Sequence, residues 1–179
     1  PLAPIVRSLP YGDGPRRTLD IYAPRGAAGA PVVVFFYGGS WQGGRKETYR
    51  FVGKALARRG IFTVVADYRV YPEVAYPAFI EDGAQAVRWT AREIAGHGGD
   101  PGRIFVMGHS AGAHIAAMLA LDGRWLAAGP GRPPAIAGLI GLSGPYDFLP
   151  IRDPVLIRAF GGANRAETQP IHHVPLRPR

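Results

Sequence analysis

The stretch Arg103-Ile-Phe-Val-Met107, then Gly108-His109-Ser110-Ala111-Gly112, then the Ala-rich run to Leu121 decides the reading of this chain. Ile104 to Met107 is an apolar, partly β-branched run that predicts a strand buried on both faces. Ala111 to Leu121 is rich in helix-forming residues and carries almost no charge, which predicts a buried helix. Ser110 therefore stands on a tight turn between strand and helix, the context that a G-x-S-x-G motif requires. Such a turn lifts the hydroxyl out of the sheet edge in a strained conformation. Side chains at Gly108 and Gly112 would collide where strand and helix converge. The helix N-terminus beneath Ser110 offers unpaired N–H groups to developing negative charge. A G-x-S-x-G string alone arises by chance, and its bland reading is a Gly-rich turn; in this context it points to a nucleophilic serine.

Working outward, Pro31 to Tyr37 is a second continuous β-branched and aromatic run, and Tyr37-Gly38-Gly39-Ser40-Trp41 follows it directly. A glycine pair there frees backbone N–H groups to point into a cleft. Attack by Ser110 on a carbonyl needs two or three such donors, each worth on the order of 3 kcal/mol. Gly39, Ser40 and Ala111 are the candidates. Further strands are expected at Thr18–Tyr22, Ile61–Ala66 and Ile136–Leu142, and helices at Arg45–Arg59, Ala78–Ile94 and, briefly, Pro154–Phe160. Strands alternating with helices through short loops predict an α/β fold, a mostly parallel sheet with helices on both faces.

Composition narrows the classes. At 179 residues one domain is expected, residues 1–179, long enough for a core without disulfide or metal staples. With 47% hydrophobic and 19% charged residues, disordered and fibrous chains are excluded. No cysteine is present, which removes thiol nucleophiles and cysteine-based metal sites. No cofactor or metal is expected; none of the five His forms an H-x-x-x-H pair. The net charge of +8 comes almost wholly from Arg, since lysine occurs only at Lys46 and Lys54. The Arg are scattered, with no basic stripe interleaved with aromatics, so a solvated basic surface is expected and not a nucleic-acid partner. No apolar run approaches the roughly 20 residues of a membrane span. No leader is visible at the start, which favours the cytoplasm, although position 1 is not Met.

Three blocks together resemble the α/β-hydrolase superfamily. They are Tyr37-Gly-Gly-Ser-Trp41; Asp67-Tyr68-Arg69 with Pro72-Glu73 and Tyr76-Pro77; and Gly99-Asp100-Pro101 leading into Gly108-His-Ser-Ala-Gly112. Leu19-Asp20-Ile21-Tyr22-Ala23-Pro24 is similar to the same branch, which includes hormone-sensitive-lipase-like, feruloyl/acetylxylan-esterase-like and kynurenine-formamidase-like enzymes. The resemblance runs from about Tyr11 to Val174. It implies a Ser–Asp/Glu–His triad, an oxyanion loop, and hydrolysis of a small-molecule ester of small to medium acyl size through an acyl-enzyme, without a cofactor. Ser110 carries over as nucleophile, and Gly39, Ser40 and Ala111 as oxyanion donors. Trp41 resembles a Trp that walls the substrate pocket in formamidase-like members; a half-buried packing residue is the equal alternative.

Two features depart from the family pattern. Tyr37 stands where the loop usually begins with His. After Ser110 the chain holds the Ile136–Leu142 strand and then no further strand signal, so the acid and His of the triad are expected beyond residue 179, in a domain cut short at its C-terminus. Asp147 or Asp153 with His172 or His173 satisfies the triad order but is the weaker reading. His109 and His114 are expected to pack, and Asp67 and Asp82 to play structural roles such as pairing with Arg69. Ile136–Leu142 would then be an apolar sheet edge, inviting a homo-oligomer. Three functions stay open: a serine carboxylesterase, an arylformamidase on the same fold, and a non-catalytic remnant.

Overall fold

A computed structural model of the protein describes Ala3 and residues 5–175. Its centre is a six-stranded sheet in the order β1-β2-β4-β3-β5-β6. The strands are β1 (Val6–Pro10), β2 (Thr18–Tyr22), β3 (Ala30–Phe36), β4 (Phe62–Ala66), β5 (Gly99–His109) and β6 (Ile136–Leu142). The first two pairings, β1 with β2 and β2 with β4, are antiparallel; β4, β3, β5 and β6 run parallel. The expected mostly parallel sheet is present.

β3 lies between β4 and β5, and Val32, Val34, Phe35 and Phe36 are wholly buried. That burial explains why its sequence does not alternate. Its register sets Phe36 opposite Gly108 of β5, so the segments leaving the two strands emerge side by side.

The helices are α1 (Arg50–Ala57), α2 (Ala78–Glu93), α3 (Ala111–Leu121), α4 (Arg124–Ala127) and α5 (Pro154–Phe160). α1 is shorter than the expected Arg45–Arg59 helix, because Lys46–Tyr49 forms a separate 3-10 turn. It approaches the sheet through Gly53, where a Cβ would fall 2.4 Å from the Tyr22 ring. α2 buries Phe79, Ala86 and Val87 as its periodicity predicts, and Asp82 in addition. Every residue of α3 from Ala111 to Leu119 is buried. Gly83 of α2 faces Ile115 of α3, with room for no more than a hydrogen there.

Two elements carry no clear sequence signal. β1 is an edge strand with an irregular register between Val6 and Leu9, and Ser8 in it has φ +53°. α4 is a single turn. At the other end of the described sheet, β6 leaves Leu139, Ile140 and Leu142 about two-fifths exposed. Beyond it, α5 and 3-10 turns at Ala166–Thr168 and Pro170–His173 complete the described chain. No helix among the described residues is long and apolar enough to cross a membrane.

Candidate active site

β5 ends at His109, and the chain reverses into α3 through a single residue. Ser110 has φ +52° and ψ −119°, a conformation that L-residues rarely adopt. Its amide donates to the Leu142 carbonyl of β6 at 2.8 Å, and its carbonyl accepts from Ala113 and His114 in the first turn of α3. The two flanking glycines are required for different reasons. A Cβ on Gly108 would lie 2.1 Å from the Gly112 carbonyl oxygen, so strand and helix do converge there. A Cβ on Gly112 would meet the Phe36 and Tyr37 carbonyls at 2.1 and 2.5 Å, so its constraint comes from β3.

The segment leaving β3 lies against this elbow: a Cβ on Gly38 would fall 3.0 Å from the Ser110 Cβ. Three successive residues then have positive φ, Gly39 (+146°), Ser40 (+51°) and Trp41 (+56°). The Gly39 carbonyl closes the turn by accepting from Gln42 and Gly43 at 2.9 and 3.1 Å. Among the described residues the N–H groups of Gly39, Ser40 and Ala111 make no hydrogen bond. Two N–H groups from the β3 loop and one from the start of α3 therefore stay unpaired beside the Ser110 turn. The arrangement can accept negative charge developing on a carbonyl oxygen.

Behind the loop is a polar network that the sequence reading did not resolve. The Tyr37 hydroxyl donates to Asp67 Oδ1 at 2.8 Å, and the Tyr68 hydroxyl donates to the Tyr37 carbonyl at 2.6 Å. The two rings stack at 4.8 Å. Asp67 also accepts from the Lys46 amide at 2.9 Å and from Lys46 Nζ at 3.0 Å. Lys46, only 4% exposed, sits 3.9 Å from Asp20 and 3.1 Å from Glu47 as well. Burial opposes its charge, but the bond to Asp67 and the other carboxylates outweigh that and raise its pKa. Burial, with the neighbouring Asp67, pushes the Tyr37 phenol far up, so it stays a donor. A charge at Asp20, inside an apolar strand, and one of only two lysines in an Arg-rich chain were the available signals.

The remaining candidates lie elsewhere. Asp82, not Asp67, pairs with Arg69, through two bonds of 2.9 and 2.7 Å. His109 Nδ1 is 2.9 Å from the Tyr49 hydroxyl. His114 is fully buried and its Nε2 is 2.8 Å from the Thr168 carbonyl. Asp153 caps α5, accepting from the Val155 and Leu156 amides. His173 Nε2 bonds the Glu167 carbonyl at 2.9 Å, its Nδ1 lies 3.6 Å from Asp122, and His172 and Asp147 are exposed. Among the described residues Ser110 Oγ makes no hydrogen bond, to these groups or any other. None of these residues is grouped so as to hold a metal ion.

Trp41 is 4% exposed, with its ring 5.6 Å from Phe148 and edge-on to Phe160 and His114 at 4.8 and 5.2 Å. The indole thus packs against aromatic rings on several sides.

Comparison with known proteins agrees with this architecture. The BD-FAE family model matches residues 19–166. Over 155 residues the chain is 40% identical to a probable isoprenylcysteine alpha-carbonyl methylesterase of Oryza sativa subsp. japonica, covering 83% of this chain and 36% of that protein. Carboxylesterase NlhH of Mycobacterium tuberculosis is 43% identical over 62% of this chain and 34% of its own length. Kynurenine formamidase of Salmo salar is 32% identical over 84% and 49%. Among solved structures, the apo form of Thermogutta terrifontis esterase 2 aligns with a TM-score of 0.78 at 26% identity, over 94% of this chain and 66% of that one. The same esterase is also known phosphoramylated by tabun. The chain spans about a third to a half of the length of these curated relatives. The strained turn at Ser110, the paired strand ends and these matches agree, and the chain belongs to the BD-FAE family, within the esterase branch of the α/β-hydrolases.

Proposed function

We propose that this chain carries the nucleophile and oxyanion hole of a serine carboxylesterase. In this reading Ser110 Oγ attacks the carbonyl carbon of a small to medium acyl ester, its proton passing to a base. The carbonyl oxygen, now negative, accepts from the N–H groups of Gly39, Ser40 and Ala111. The carbon–oxygen bond to the alcohol then breaks, the alcohol leaves with a proton, and water releases the acid from the acyl-enzyme. The observation that carries the reading is the Ser110 turn itself: positive φ, flanking glycines jammed against backbone, and unpaired N–H groups beside it.

The methylesterase and carboxylesterase relatives favour an ester over an amide substrate. Ser110→Ala in the full-length gene product should abolish turnover of a chromogenic acetate while leaving the unfolding free energy within about 1 kcal/mol of the parent. Unchanged turnover would refute the assignment.

A further inference from the structure

The loop that presents the Gly39 and Ser40 amides is strained where it has no glycine. Ser40 and Trp41 both have φ above +50°, a region that disfavours side chains other than Gly and persists only when the surroundings over-determine it. What over-determines it lies at the Trp41 end. The Trp41 carbonyl accepts from the Tyr71 amide at 2.7 Å, and its indole is held among Phe79, Phe148, Phe160 and His114.

His114 is the polar member of that cluster. It sits one helical turn beyond Ser110 on α3, fully buried, 5.2 Å from the Trp41 ring in an edge-on arrangement. A carbonyl only accepts, so the 2.8 Å contact with the Thr168 oxygen requires Nε2 to carry the ring proton. Thr168 and Gln169 are themselves fully buried, and Gln169 accepts from the Phe148 amide at 2.8 Å. One imidazole on the helix that follows Ser110 thus touches both the residue that ends the strained loop and the 166–173 segment.

We propose that His114 is a positioning residue for the oxyanion loop, holding the Trp41 end of residues 39–41 by packing while its Nε2–H bond locks the 166–173 segment against them. The proposal rests on reading that loop as the oxyanion hole. In it the geometry of the Gly39 and Ser40 donors depends on the His114–Thr168 bond, although His114 touches no reacting atom.

The test compares His114→Phe, which keeps a ring but loses the donor, with His114→Gln, which keeps a donor. Two readouts are taken on the full-length gene product. Amide exchange is followed at Gln42 and Tyr71, which bond the Gly39 and Trp41 carbonyls, and kcat and KM are measured for a chromogenic acetate. His114→Phe should speed exchange at both amides at least about tenfold and lower kcat about tenfold, with KM within about twofold, as expected for a donor used only in the transition state. His114→Gln should return both toward the parent. A folded His114→Phe protein with parental exchange and parental kcat overturns the proposal. Should His114→Phe not fold, the unaltered protein still decides: imidazole nitrogen resonances must report the Nε2–H tautomer, and an Nδ1–H tautomer overturns the link. A parent without turnover would count against the esterase reading instead, leaving exchange and tautomer to judge this one.

Discussion

A methyl group on Gly39 would lie 2.3 Å from the Gly43 carbonyl oxygen, and the residue already has φ +146°. Strain and collision act together there, so Gly39→Val should push the loop away from Ser110. Steady-state kinetics should show kcat lower by at least about a hundredfold, the scale of losing one donor. An unchanged kcat would place the oxyanion donors elsewhere. Lys46 makes the complementary point for stability. It pairs with Asp67, Glu47 and Asp20 while almost wholly buried. Removing one partner of a buried ion pair strands the other charges, at a cost of about 3–5 kcal/mol. Lys46→Met should therefore lower the unfolding free energy by that amount in urea titration, and a loss below about 1 kcal/mol would show the network to be dispensable.

At the scale of elements, much was legible because pattern and burial coincide. β6, α3 and α5 fall where Ile136–Leu142, Ala111–Leu121 and Pro154–Phe160 were expected. Continuous apolar runs and an Ala-rich helix admit few other placements. β1 was not legible, because Val6–Pro10 is a short edge strand ending in proline, with a register irregularity in place of clean alternation. The 3-10 turn at Lys46–Tyr49 was hidden inside a helical pattern for a tertiary reason, since the Lys46 amide and ammonium both turn to Asp67. Asp153 was a weak triad candidate by chain order alone, and its geometry makes it the N-cap of α5. Asp153→Ala should cost about 1 kcal/mol of stability and leave ester turnover unchanged. Loss of turnover without loss of stability would return it to the catalytic candidates.

Over the whole molecule, acid should act first through His114. Burial lowers its pKa from 6.5 to about 4, so the folded protein resists a proton that the unfolded chain accepts. Stability is undiminished above about pH 6.5, falls as the pH drops toward 4, and levels off below that, a loss on the order of 3 kcal/mol. Asp20 works in the opposite sense, because burial raises its pKa; the stability it lends is present at low pH and lost as the pH rises through that raised value. The paired Asp122 carboxyl, held down by Arg124, loses its contribution only at the acid end of the range. Urea titrations at pH 7, 5.5 and 4 should show the decline in the parent and a flatter profile in His114→Gln. Equal slopes would mean that His114 is not the dominant titrating group.

Ser110, on its strained turn beside unpaired N–H groups, is the proposed nucleophile. Fluorophosphonate labelling of the full-length gene product, with the adduct located by peptide mass mapping, tests it most directly. A single adduct on Ser110 is expected, and none in Ser110→Ala. Labelling that persists undiminished in Ser110→Ala, or a parent that takes up no label, would contradict it.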